Sequence, residues 1–235
     1  MRNQINKKII IFSLIFGLNS FIFAQSADDI TDFAKAAKFN DLATVKSLVA
    51  KGVNPNSVDS KGDLMLNLAI KEKSNDVVTF LLVNPATDVD ISNKFGETPL
   101  MIASIDGNMP VVRALVQGRK AKIDHIGWTP LHYACAKGNY EVAQYLISNG
   151  AIIDSMSPGN TTPLMMAVQS GNEQLIKLLL DKGADLQIRN ANGLSAIDIA
   201  VIYDKPWIAE GLSSRWYKLY KKPYEYPKGL DKPRS

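Results

Sequence analysis

Along most of this chain, apolar residues come in short clusters spaced for one face of a helix, and each cluster is closed by a glycine or a polar group. Leu131, Ala134 and Cys135 share a face of a helix that Gly138 stops. A second stripe, Val142, Tyr145, Leu146 and Ile147, runs until Gly150. Thr129 places a hydroxyl where it can accept from an orphan N–H at the helix start, and Pro130 follows at the first helical position, where a missing N–H costs nothing. Gly138 and Gly150 end the two helices because glycine adopts the left-handed conformation freely. The pattern predicts two short helices and then an extended turn. One such pair cannot bury its apolar face alone, so further pairs must stack beside it.

They do recur. Gly127-x-Thr129-Pro130-Leu131-His132 is preceded at a distance of 31 by Gly96-x-Thr98-Pro99-Leu100-Met101. At 33 residues it is followed by Asn160-x-Thr162-Pro163-Leu164-Met165, and after another 33 by Gly193-x-Ser195-Ala196-Ile197-Asp198. Upstream, Gly62-x-Leu64-Met65-Leu66-Asn67 stands 34 before Gly96, and a degenerate copy, Asp29-x-Thr31-Asp32-Phe33-Ala34, stands 33 before that. The second halves match too, as in Gly171-Asn172, Leu175-Ile176, Leu178-Leu179-Leu180 and Gly183-Ala184-Asp185. A period near 33 with Thr-Pro-Leu-His-x-Ala resembles the ankyrin repeat. The resemblance implies an all-α repeat solenoid: about six stacked helix-turn-helix units with β-hairpin-like turns, near 26–58, 59–92, 93–123, 124–156, 157–189 and 190–213.

The departures carry information. The first copy lacks the proline and the early glycines and reads as an N-terminal cap, with Asp28, Asp29, Asp32, Lys35 and Lys38 toward solvent. The second has Lys73 where others have glycine, and one extra residue in Asn84–Asp90. Two residues are missing before Gly127, so the turn between the third and fourth units must differ in shape. The sixth copy loses the pattern after Ala200, where Lys205-Pro206-Trp207 replaces the usual second-helix start, and reads as the C-terminal cap.

Charge and hydropathy separate the two ends from the body. Met1–Lys8 holds Arg2, Lys7 and Lys8, an apolar run spans 9–23, and Ala24 is followed by Gln25-Ser26, which is the order of a secretory signal with its cut after Ala24. Residues 25–204 hold 16 Lys+Arg against 20 Asp+Glu, and residues 205–235 hold 8 against 3. A mildly acidic body offers no footprint for nucleic acid. The stretch 214–235 is a basic, aromatic and proline-rich tail whose prolines oppose a helix past Tyr220. Its first aromatics are expected to finish the cap and its last ten residues to be mobile; the rival reading has it touching an anionic membrane or an acidic partner. The composition, rich in lysine, asparagine and isoleucine, suggests a bacterial protein. Its place would then be the periplasm if the cell is Gram-negative, and outside the cell otherwise.

Little in the chain suggests chemistry. Cys135 is the one cysteine and sits at a small-residue position of a first helix, where burial makes it inert. His132 occupies the motif histidine position, where a ring ties neighbouring turns. His125 lies in the shortened turn, expected exposed, with no acid or thiol at a diagnostic spacing. There is no phosphate loop and no calcium-loop order, so no cofactor, metal or catalytic residue is expected. Similarity to ankyrin proteins places partner-binding positions beside the motif glycine and before the inter-helix glycine. On this chain the selected candidates are Phe95, Ile105, His125, Ile126, Trp128, Lys137, Leu194 and Tyr203. The expectation is an exported, non-enzymatic, monomeric scaffold for an unidentified protein, touching a membrane only through an uncleaved N-terminus or the basic tail. The alternatives are an inner-membrane-anchored adaptor and a secreted effector that binds host proteins.

Overall fold

The computed structural model describes residues 26–230. The expected signal, residues 1–24, and the cut after Ala24 lie outside the described residues. Twelve α-helices form six consecutive pairs among the described residues. These are α1 (Ala27–Lys38) with α2 (Leu42–Ala50), α3 (Met65–Lys71) with α4 (Asn75–Val83), and α5 (Pro99–Ile105) with α6 (Met109–Arg113). They continue as α7 (Pro130–Ala136) with α8 (Tyr140–Ser148), α9 (Pro163–Ser170) with α10 (Glu173–Asp181), and α11 (Ala196–Ile202) with α12 (Pro206–Tyr220). The first helices touch in sequence, α1 to α3 to α5 to α7 to α9 to α11, and make one row. The second helices form another, with α2 against α4 and α8 against both α6 and α10. Phe33, Leu81, Leu100, Leu115, Leu131, Leu146, Leu164 and Ile197 run through one continuous core between the rows.

The helix signals act as the sequence implies. The hydroxyls of Thr98 and Thr162 accept from the N–H groups of Met101 and Met165, each at 3.3 Å, and each is followed by proline at the first helical position. Gly107, Gly138 and Gly171 have φ of 70°, 71° and 79°. Where the glycine is missing another residue takes the same backbone: Asn40 in the first unit (φ 55°), Lys73 in the second (58°) and Asp204 in the sixth (52°). The ends of α1, α5 and α7 are tied to the following unit. Asn139 donates to the carbonyls of Ser104 and Ile105, Asn172 donates to that of Gly138, and the Asn40 side-chain carbonyl accepts from the N–H groups of Asp76 and Val77.

The C-terminal end is more ordered than expected. Pro206 opens a helix of 15 residues that crosses the boundary placed at Ser213 and stops at Tyr220, with Lys221 left-handed (φ 56°). The chain then folds back. The Tyr224 hydroxyl lies 2.6 Å from Ser195 Oγ and donates to Asp198 Oδ2 at 2.7 Å. Its ring meets Trp216 and Tyr226 edge-on, and the Tyr226 hydroxyl is 3.1 Å from Ser213 Oγ. Tyr226, expected among the mobile last ten residues, is therefore fixed. Asp198 stands where the fourth unit has His132, and Tyr224 takes the place of the following finger that His132 would bond.

Candidate functional site

The turns leading into the first helices form a row of fingers. The second, third, fifth and sixth units close theirs with one backbone bond: Asp59 N–H to Asp63 O, Asn93 to Glu97, Ser157 to Thr161 and Asn190 to Leu194, at 2.9–3.0 Å. The first residue's side chain reinforces it, as when Asn93 Oδ1 accepts from the N–H groups of Phe95 and Glu97. The fingers are hairpin-like in this single bond, and Val58 with Leu64 makes an isolated antiparallel bridge; no β-strand forms among the described residues.

Behind the tips, a second set of contacts joins one unit to the next. Asn56 accepts from Asp88 N–H, Asp90 from Lys122, Asp124 from Ile152 and Asp154 from Asp185. This ladder explains the abnormal fourth turn. In the other units six residues separate the ladder acceptor from the motif glycine or Asn160; Asp124 is only three from Gly127. The third unit takes up one extra residue as a π-helical turn, Ala114–Gly118, continuing α6, so the net shortfall is two. Asp124 is committed to the next unit, and among the described residues no backbone bond closes the fourth finger. The π turn also delivers Arg119, whose guanidinium donates to the carbonyls of Leu82, Asn84 (3.2 Å) and Thr87 (2.6 Å) around the end of α4. A cation there also meets the negative end of the helix dipole.

On the fourth finger Ile126 and Trp128 stay toward solvent while His125 and Thr129 turn inward. Ile126 is fully exposed, Phe95 on the preceding finger is 63% exposed, and Trp128 is 39% exposed, its ring edge-on to His132 with centroids 5.3 Å apart. His132 is buried. Its Nδ1 accepts from Thr129 N–H (3.2 Å) and its Nε2–H donates to the Thr161 carbonyl (2.8 Å), fixing the tautomer and tying the fourth finger to the fifth. Burial lowers its pKa below the ordinary 6.5. Asn67 does the same work two units earlier, donating to the Glu97 carbonyl (3.2 Å).

The side facing the second and third fingers is polar. Lys71 Nζ lies 2.9 Å from Asp63 and 3.8 Å from Glu97, so two carboxylates share one ammonium. Asn93 bridges the same two carboxylates, and the Tyr133 hydroxyl donates to Glu97 at 3.3 Å. Burial, and then the Glu97 charge, push the Tyr133 phenol up to about 12. The face thus grades from carboxylates at the second and third fingers to aromatic and aliphatic groups at the fourth.

The other candidate residues are scattered. Lys137 and Tyr203 are exposed at the ends of their first helices, and Ile105 is half-buried. Leu194 folds onto the core. His125, expected in solvent, is half-buried with Nε2 enclosed and without a hydrogen-bond partner, because the shortened turn draws it inward. Phe95, Ile126 and Trp128 are thus brought onto adjacent fingers, while Leu194 and Tyr203 lie two units away. Nothing local in the sequence marks Tyr133; its spacing from Glu97 is legible only once adjacent units are superposed. Cys135 is fully buried and its thiol pKa raised by that burial. Among the described residues no three His, Cys, Asp or Glu side chains converge as metal ligands.

Comparison with known proteins agrees with this geometry. The ankyrin-repeat profile of three copies matches residues 66–157 and 149–220, and the profile of many copies matches residues 33–82. A probable 26S proteasome regulatory subunit, p28, of Saccharomyces cerevisiae is 32% identical over 157 residues, covering 64% of this chain and 67% of its own. The variola virus ankyrin repeat protein OPG189 is 31% identical over 153 residues, covering 61% of this chain and 27% of its own. The human transient receptor potential cation channel subfamily A member 1 is 29% identical over 161 residues, 64% of this chain but only 14% of that protein. Human rabankyrin-5 is likewise matched over 14% of its length, so the chain spans a small part of several of these relatives. With the repeat period, the paired helices and the profiles in agreement, the chain belongs to the ankyrin-repeat family.

Proposed function

We propose that this chain is a non-enzymatic scaffold that holds a protein partner against its finger tips and first helices, centred on Trp128, and that it works after export from the cell that makes it. The observation that carries the binding reading is the exposure of Phe95, Ile126 and Trp128 on neighbouring fingers. Clustered exposed aromatics mark binding surfaces and dominate their energetics. One relative, p28, is named as a probable subunit of a larger assembly, in keeping with a scaffold. Export rests on the charged and apolar order of residues 1–24.

Two measurements test this. A photo-crosslinking residue in place of Phe95 should join the protein to a discrete partner in its native cell, and one in place of the buried Leu131 should not. Crosslinks equal at both positions, or absent at Phe95, would refute the binding surface. Mass analysis of the N-terminus should find Gln25 first; a chain that keeps residues 1–24 and stays in the membrane fraction would replace the cleaved signal with an anchor.

A further inference from the structure

A second surface lies on the opposite row of helices. Between α10 and α12 is a recess of about 310 Å³ lined by Ile176, Leu180, Leu212, Gly211 and Trp207. Ile176, Leu180 and Leu212 are buried and make its floor, while Trp207 is 57% exposed at one end. Gly211 and Ser214 lie one and two turns after Trp207 on the same face of α12 and keep the recess open. Lys177, Arg215 and Lys218 stand around it with one acid in the lining, Glu173, and a second, Asp181, paired to Arg215, so Lys177 and Lys218 are the unpaired cations. Arg215 is held in place by the Leu180 carbonyl (2.8 Å) and Asp181 (3.3 Å). Lys177 and Lys218 form no ion pair among the described residues. Among the described residues, 205–230 hold 6 Lys+Arg against 2 Asp+Glu at this end.

We infer that this recess binds an acidic polypeptide segment carrying an apolar anchor residue, at a site separate from the fingers. Burying an apolar side chain against Trp207 and the aliphatic floor supplies affinity, and the unpaired Lys177 and Lys218 select for carboxylates and speed encounter. The volume is at the small end for a metabolite pocket and suits one anchor side chain. An anionic bilayer fits less well. The exposed apolar residues of α12, Trp207, Tyr217 and Leu219, point in three directions around the helix at 100° per residue, so no single plane reaches all of them. The apolar surface is also recessed and not protruding.

The probe is a peptide labelled at its N-terminal amine, fluorescein-Gly-Glu-Asp-Leu-Phe-Glu-Asp-amide, titrated with the mature chain and read by anisotropy. Saturable binding is expected that weakens about tenfold when Lys177 and Lys218 are both changed to Glu, and severalfold in Trp207→Ala. A control peptide with Ser in place of Leu and Phe should lose most of the binding. All three altered positions are exposed, so circular dichroism should be unchanged. Trp128→Ala should bind the peptide normally, which separates this site from the finger surface. Absence of saturable binding, indifference to these substitutions, or loss in Trp128→Ala would overturn the inference. So would phosphatidylserine vesicles capturing the protein through Trp207 and these lysines while the peptide does not bind.

Discussion

Changing Tyr224 to Phe removes one oxygen and leaves the ring in place against Trp216 and Tyr226. That oxygen lies 2.6 Å from Ser195 Oγ and 2.7 Å from Asp198 Oδ2. Asp198 is fully buried, so its carboxylate depends on protein donors. A hydrogen bond to a charged group contributes about 1.5–3 kcal/mol. Asp198 Oδ2 keeps the Ser195 N–H (2.8 Å) and Arg189 (3.1 Å), which places the expected cost near the lower end, about 2 kcal/mol. Each unit contacts only its neighbours, so the loss should be local. Hydrogen exchange is the suitable assay: amides of α11 and α12 should lose protection by that amount while those of α1 to α4 keep theirs. The exposed Tyr217, changed to Phe, should cost under about 0.5 kcal/mol. Burial raises the Tyr224 phenol from 10 to about 12, so its protonated form stabilises the fold. That contribution is whole below pH 10 and is lost as pH rises through about 12, and the variant should lack its share of this decline. A cost below about 0.5 kcal/mol, or one spread evenly along the array, would refute the role of Tyr224 in closing the last unit.

Three further substitutions test the ties between units and the backbone of the turns. His132→Ala removes the ties to Thr129 N–H and the Thr161 carbonyl and should cost about 2–4 kcal/mol in urea unfolding. Because burial holds the His132 pKa below 6.5, its neutral ring stabilises the fold above that pH, and stability should fall as pH drops through the lowered value. Lys73→Gly relieves a left-handed backbone (φ 58°) and should raise stability by up to about 1 kcal/mol despite glycine's entropy, as measured by urea midpoint. Arg119→Ala frees three carbonyls around the end of α4 and should speed exchange in α4 and the Asn84–Thr87 turn, at a cost of about 2 kcal/mol.

The six helix pairs were legible because their signals are local. Thr98 with Pro99 and Thr162 with Pro163 each specify a helix start within two residues, and Gly107, Gly138 and Gly171 specify an end. What escaped reading depends on contacts a repeat apart or more. The π turn at Ala114–Gly118 leaves no local mark, and the role of Asp124 appears only from its bond to Ile152, 28 residues on. Tyr224 reads as one of several tail aromatics until the fold brings it to Asp198, 26 residues back. The candidate surface divides in the same way. Phe95 and Ile126 sit at tips whose exposure follows from the repeat, whereas His125 and Leu194 are drawn inward by the particular shape of their turns.

Trp128→Ala tests the account most directly. The ring is 39% exposed and meets His132 by its edge, so removing it should cost about 1 kcal/mol and lower the thermal midpoint by only about 2–4 °C. In the native cell, with the crosslinking residue at position 95, the same change should abolish the partner adduct. A folded Trp128→Ala protein that crosslinks as well as the parent would contradict the claim that this finger is the binding surface. So would a large fall in stability with the adduct retained, which would place Trp128 among the residues that hold the stack together.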